Sequence, residues 1–390
     1  MHLIVDCYLI IDNGNKKIQG YPLMLKFKAI LAILFFVVLF PRVLLASDIN
    51  ENDSITFVTM PHQQSQWRFG LSALYLESSS DDFHYATTLS QSEGVSPILA
   101  MLHFHFLTPE FKWGGIVDAT YQFSGPGRFI YFAWQHLAST ESKTPSQTMA
   151  NSVTVGPAFY QTDVSEPPYP FIPGGALNVN EWDSITGQSK SEYNAVDIVF
   201  GQQIQFARLF ELTPFVGLRY ASINSHESVN AYTYDSDATV TPDTASGYLK
   251  LEDDYKGIGP RLGFRYQVKF NEYFALVGSF ATSLLIGEGN QKDVASISYF
   301  TEGIMQEPSF NAVSKKSSFS KVVPEIDARL GLALNNDFGT DVGYGIELGL
   351  LAESYLRARS ISQLSYYDTS RHDNDVNYYG PYLRIEFRIT

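Results

Sequence analysis

Twelve ionisable residues, most of them at alternate positions of short apolar segments, are the side chains best placed to do chemistry. Residues 322–332 carry Glu325, Asp327 and Arg329, residues 258–268 carry Arg261 and Arg265, and residues 383–389 carry Arg384, Glu386 and Arg388. Asp197, Arg219, Asp341 and Glu347 complete the set. Charges of both signs, gathered out of bulk water, can act in two ways. They can line a constriction that selects ions by charge, or pair into a lattice that closes the space between them. The sequence leaves both open.

Other chemistry is thinly represented. His103 and His105 stand two apart and would share one face of a strand, but two ligands do not complete a metal site. His84, His136 and His226 are the remaining histidines that a hydrolase could use as a base. No Gly-x-Ser-x-Gly, His-Glu-x-x-His or phosphate-binding glycine loop is present. Acidic clusters at Asp235/Asp237, 252–254 and Asp373/Asp375 lack the spacing of a calcium loop, so they read as solvated loop charge. Residues 163–182, rich in proline and aromatics, read as a loop that either folds into a pore or is ordered at the surface. The expectation is therefore no enzyme, no cofactor and no metal.

The elements that must position the charges follow from periodicity. Along 258–268, Ile258, Leu262, Phe264, Tyr266 and Val268 share one parity, and Arg261, Arg265 and Gln267 the other. Residues 322–332 and 341–350 repeat this, which is the period-2 signature of strands with unlike faces. These segments reach the ~9–11 residues that a tilted strand needs to cross a bilayer. Their polar faces mix glycine with charges of both signs, which suits a lumen. Aromatics gather at strand ends, with Trp67 and Tyr75, Trp113 and Tyr121, and Tyr378 and Tyr379, as an interfacial girdle requires. Short connections at 206–211, 269–273 and 335–340 alternate with long polar ones at 225–255, 288–320 and 358–377. Residues 124–127 (Ser-Gly-Pro-Gly) add a tight turn, and residues 152–160 belong to the excursion spanning 139–192.

The expected fold is all-β: a transmembrane antiparallel β-barrel with short periplasmic turns and long extracellular loops. Its strand number is even, ten or about twelve; twelve, with residues 82–90 and 97–107 as an extra pair, is favoured. A soluble sandwich alternates as well and is the competing architecture.

Composition supports export. Residues 29–40 are an uninterrupted apolar core behind Lys26 and Lys28, and residues 43–46 offer a cleavage point, so residues 24–46 read as a secretory signal; an uncleaved anchor is the alternative. Residues 1–23, with Asp6 and Asp12, read as an extension from a start assigned upstream of Met24. Residues 47–66 are then a periplasmic segment and 67–390 the barrel. Cys7 is the one cysteine, so the mature chain has no disulfide. The formal charge is −14; the first 46 residues hold five Lys/Arg and two Asp/Glu, which leaves −17 on the remainder. That acidity argues against nucleic acid. The expected surroundings are outer-membrane lipid and lipopolysaccharide, the barrel-assembly machinery and a non-covalent homo-oligomer, in the outer membrane of a Gram-negative cell.

Several stretches resemble a known family. They are Trp67-x-x-Gly70 with 73–76 (Ala-Leu-Tyr-Leu), Trp113-Gly114, 193–197 with Gly201-Gln202, and Arg219-Tyr-Ala221. Further on come 257–263 (Gly-Ile-Gly-Pro-Arg-Leu-Gly), Val323-Pro-Glu325 with Leu330-Gly331, and 380–383 (Gly-Pro-Tyr-Leu). Together they resemble the Legionella-type major outer membrane proteins, a group of porin-like barrels. The resemblance implies a passive channel for ions and small hydrophilic solutes, with net acidity favouring cations. Two features depart from that pattern: cross-linking cysteines are absent, and Phe387-Arg-Ile-Thr390 replaces a terminal aromatic residue. Rival expectations are a barrel plugged by Arg–carboxylate pairs whose loops bind a host surface or phage, and a barrel hydrolase.

Overall fold

The computed structural model describes residues 64–79, 83–91, 100–107, 110–125, 127–144, 152–155, 184–206, 209–235, 243–271, 273–301, 304–313, 317–338, 342–364 and 369–390. These belong to the compact unit Phe57–Thr390. The signal segment, residues 1–23, the loop at 163–182 and Asp341 lie outside the described residues.

Among the described residues, fifteen strands follow in chain order. They are β1 (Gln66–Ser79), β2 (Phe83–Gln91), β3 (Ala100–Leu107), β4 (Phe111–Gln122) and β5 (Arg128–Lys143). Next come β6 (Ser152–Val155), β7 (Ser184–Gln202), β8 (Ile204–Phe206), β9 (Phe210–Asp235) and β10 (Asp243–Lys269). Last are β11 (Phe274–Thr301), β12 (Ile304–Val313), β13 (Ser317–Phe338), β14 (Val342–Leu364) and β15 (Thr369–Ile389).

Ten of them form a closed antiparallel meander: β1, β4, β5, β7, β9, β10, β11, β13, β14 and β15. Closure comes where β1 pairs β15, with Trp67 opposite Ile389 and Leu74 opposite Tyr382. A closed barrel leaves no unpaired strand edge, which is the condition for a sheet in lipid. β8 continues the β7 edge against the start of β9, and β12 pairs with β11.

Strand count corrects one expectation. The segments near 82–90 and 97–107 do pair with each other, as β2 and β3, but they join β6 in a separate three-stranded sheet. The wall therefore has ten strands rather than twelve. Residues 152–155 lie outside the wall, as expected.

The two faces of the wall differ sharply. Outward positions carry Leu71, Leu262, Leu332, Leu348 and Leu350, each 59–62 % exposed, with Ile258, Val216, Phe387 and others beside them. A continuous apolar surface on that scale needs a non-aqueous partner. Aromatic clusters bound it on β1 and β4. Trp67 packs on Tyr121 (ring centroids 4.8 Å) at the turn end, and Tyr75 packs on Trp113 (4.8 Å) and Phe111 (5.2 Å) eight residues away. Eight residues rise roughly 27 Å along a strand, or roughly 20 Å along the normal at ~40° tilt, close to the ~25 Å apolar band of such barrels. Tyr378 departs from the expected girdle: it points inward and is 1 % exposed, while Tyr379 faces out.

Inside, Leu74, Tyr193, Tyr255, Leu285, Val323 and Tyr355 are buried, so side chains fill the middle of the barrel. Small barrels fill in this way because their radius leaves little space after inward side chains are placed.

The turns at the Trp67 end are short. Residues 124–127 close β4 onto β5 with the Phe123 amide donating to Arg128 O at 2.9 Å, and Gly127 adopts φ 67°. At the opposite end the long polar connections expected at 225–255, 288–320 and 358–377 are mostly strand. β9 and β10 pair without a break from Phe210 opposite Val268 to Asp235 opposite Asp243. Above the apolar band both faces of a strand meet water or a polar interior, so polarity stops alternating while the hydrogen-bond ladder continues.

Candidate functional site

The inward charges converge at the upper edge of the apolar band. Arg219 on β9 pairs in register with Asp197 on β7 and Gly259 on β10. The Arg219 Nε and Nη2 donate to Asp197 Oδ1 and Oδ2 at 2.7 and 2.9 Å, a bidentate pair. Its Nη1 reaches Glu325 Oε1 at 2.6 Å and also Glu353.

Arg261 enters from β10. Its Nη1 donates to Glu325 Oε2 at 3.1 Å and to Ser283 Oγ at 3.2 Å, and its Nη2 donates to Asp327. Two tyrosines and a glutamine complete the shell: Tyr193 donates to Glu353 at 2.7 Å, Tyr355 to the same carboxylate at 3.0 Å, and Gln135 at 3.0 Å. Seven strands thus meet in one lattice, with Arg219 1 % and Glu325 0 % exposed. Burial this complete requires every charge to be paired and hydrogen-bonded.

Glu325, Asp327 and Glu353 offer oxygens within 4.8 Å of one another, the spacing of a cation site. Arg219 and Arg261 supply the positive charge there. Four carboxylates face two guanidiniums, so the lattice is rich in acid.

The other expected charges lie on the turn side of this layer. Arg384 clamps Asp118 through Nη2 at 2.7 Å and Nε at 3.2 Å, and its Nη1 reaches Glu386 at 2.7 Å. Arg388 Nε donates to Glu386 at 3.0 Å. Glu347 accepts from the Tyr382 hydroxyl and lies 3.9 Å from Arg384. Arg265 lies over the Tyr131 ring at 5.2 Å, while Arg329 lines the same cavity.

Eleven of the twelve expected residues therefore point inward, in two layers; Asp341 lies outside the described residues. Glu353, Tyr193, Asp118 and Arg68 were not anticipated. Glu353 continues the inward parity of Glu347, and Tyr193 that of Asp197, so extending each alternation would have found them.

A third polar layer occupies the wall beyond the apolar band. Arg359 meets Glu227 at 2.5 Å, and Lys321 donates to Ser360 Oγ at 2.8 Å and to Asp373 at 3.2 Å. Among the described residues, the carboxylates of the acidic clusters meet amides and cations within the protein. Asp253 turns inward onto the Ser360 amide, Asp375 accepts from the Arg357 amide at 2.7 Å, and Glu252 pairs with Lys250. Asp235 and Asp237 have no described side chain.

Of the histidines with described surroundings, His136 bonds Asn194 at 2.8 Å, and His226 lies 4.0 Å from Asp254. Among the described residues neither meets a hydroxyl nucleophile. The side chains of His84 and His103 lie outside the described set.

Solved structures with a similar fold include the outer membrane protease OmpT from Escherichia coli, at 10 % identity and TM-score 0.35, over 87 % of this chain and 99 % of that one. The Pseudomonas putida toluene transporter TodX aligns at 8 % identity and TM-score 0.25, over 84 % and 90 %. A Pseudomonas aeruginosa FadL homologue aligns at 6 % and 0.25, also over 84 % and 90 %. No curated protein matches the chain. Residues 59–389 match the family described as the Legionella pneumophila major outer membrane protein precursor, and the chain belongs to that family of outer-membrane barrels.

Proposed function

We propose that this outer-membrane barrel is a closed-lumen surface protein, anchored by its apolar band and acting through the wall that rises beyond it. One observation carries the reading: the Arg219–Asp197–Glu325–Glu353 lattice lies across the lumen with its charges buried. An ion passing this level would have to break pairs whose separated charges each cost several kcal/mol. The extension supplies a platform. β11 continues fifteen residues past Ile286 to Thr301, roughly 50 Å of strand at ~3.3 Å per residue.

A second reading keeps the passive pore. Its support is the cavity on the turn side of the lattice, a water-accessible space that a solute path could use. Rearrangement of the lattice would then act as the gate.

Single-channel recording in a planar bilayer separates the two. The protein extracted from outer membranes is expected to give no steady open steps, whereas Arg219→Ala combined with Arg261→Ala gives leak currents. Steady unitary steps from the unaltered protein would overturn the closed-lumen reading in favour of the pore.

A further inference from the structure

Below the lattice, the lumen holds a cavity of about 150 Å³ whose lining runs from Tyr131, Ser279 and Arg329 down to Arg68, Gln122 and Arg388 near the periplasmic strand ends. Its lining carries five arginines against three glutamates. Asp118, bound to Arg384, stands beside it and leaves the group one charge positive. This is the reverse of the acid-rich lattice above and of the chain as a whole.

Pairing within the cavity is uneven. Arg384 and Arg388 are held by Asp118 and Glu386. Arg68 is held by neutral amide oxygens, those of Gln122 at 2.7 Å and Gln66 at 3.3 Å. Among the described residues, Arg265 and Arg329 have no carboxylate within ion-pair distance.

Register explains why they converge. Arg265 on β10 is opposite Ser279 on β11, and Ser279 is opposite Arg329 on β13. Three adjacent strands thus carry Arg265, Ser279 and Arg329 at one register level, all lining the cavity, with the two arginine backbones roughly 10 Å apart at ~4.8 Å per strand and the Arg265 guanidinium over the Tyr131 ring. Two planar five-donor forks and a hydroxyl in one cavity match an oxyanion with several acceptor oxygens. On the measure by which one water needs roughly 10–15 Å³, the space admits an anion of phosphate or dicarboxylate size.

We infer that the periplasm-facing half of the lumen is a binding site for a small dissolved oxyanion of two or more negative charges, gripped by Arg265 and Arg329 across Ser279. The inference stands whether the lattice above it is shut or gated, because it concerns only the lower chamber.

The test is calorimetric titration of the full protein, extracted from outer membranes into detergent in chloride buffer, with inorganic phosphate as probe and nitrate as the singly charged comparison. Saturable phosphate binding that exceeds nitrate binding is expected. In Arg265→Gln/Arg329→Gln it weakens by about tenfold or more, the worth of one charge-assisted contact. Ser279→Asp places a carboxylate on the strand between the two arginines and is expected to abolish phosphate binding while keeping the folded barrel; it decides the matter if the double variant fails to fold. Absence of saturable binding, equal response to nitrate, or unchanged affinity in Ser279→Asp would overturn the assignment.

Discussion

Arg219 donates two parallel hydrogen bonds to Asp197 from a directly opposed position on the neighbouring strand, so this bidentate ion pair of the lumen is also part of the wall's register. A one-residue slip of either strand would turn its own charge out to lipid and leave the other inside without its partner. The pair therefore reports on register as well as on closure.

Removing the guanidinium should be severe. Arg219→Met leaves Asp197, Glu325 and Glu353 buried without their principal donor, and breaking a buried pair from one side costs about 3–5 kcal/mol. Asp197→Asn keeps a hydrogen-bond acceptor and should cost less, about 1.5–3 kcal/mol. Reversible urea unfolding in lipid vesicles, followed by tryptophan emission, checks both. Equal stability of Arg219→Met and the unaltered protein would mean that the lattice does not form.

Glycine opposite Arg219 makes a separate prediction. A Cβ at Gly259 would lie 1.8 Å from the Leu284 carbonyl oxygen and 2.6 Å from its carbon, both backbone. Gly259→Ala must push β10 and β11 apart and should cost about 1–3 kcal/mol, as overpacking does. At Gly115 the nearest atom is the Ser72 carbonyl oxygen at 3.5 Å, so Gly115→Ala should change stability by about 0.5 kcal/mol or less. The same vesicle unfolding measurement compares them.

How much of this was legible depended on where a strand sits. Within the apolar band, polarity and parity coincide, and Ile258, Leu262, Val322 and Leu348, which share the apolar parity in the sequence, are exposed together on the outside of the wall. The reading weakened on β1, where Leu74 and Leu76 face a filled interior while Ala73 and Tyr75 face out, so both parities are apolar. It failed above the band. Residues 225–235 and 243–255 carry polar residue types at both parities, and composition alone cannot separate such paired strands from a loop. The β2–β3 hairpin was visible as alternation, but a wall and a small separate sheet demand the same pattern. Long-range closure, such as Gln135 on β5 reaching Glu353 on β14, leaves no local trace.

The apolar band should respond to charge according to depth. Ile346 lies opposite Leu334 and Ile385, and Ile385 lies opposite Leu71, midway along the band, whereas Val342 lies opposite Ile389, next to Trp67 at its turn end. Ile346→Arg should destabilise the barrel by about 2–4 kcal/mol, and Val342→Arg by about 0–1 kcal/mol, as expected for the midplane and the interface. Unfolding in vesicles of fixed lipid composition measures the difference. Similar costs at the two positions would place the membrane elsewhere on the wall.

Tryptophan depth gives an independent check on the same frame. Trp67 clusters with Tyr121 and Trp113 with Tyr75, at opposite ends of the β1–β4 ladder, and both face outward. Trp134 also faces outward, but its register partner is Val117, which in turn pairs with Leu71, midway between the two clusters. Aromatic side chains at the ends belong at the headgroup level, while Trp134 sits among acyl chains. Variants retaining one of these three tryptophans, with the others replaced by phenylalanine, can be reconstituted in lipids brominated at different depths. Deep bromines should quench Trp134 most, and shallow ones Trp67 and Trp113. If Trp134 were quenched mainly by shallow bromines, the band would have to be moved along the strands, and the lattice at Arg219 would no longer lie at its upper edge.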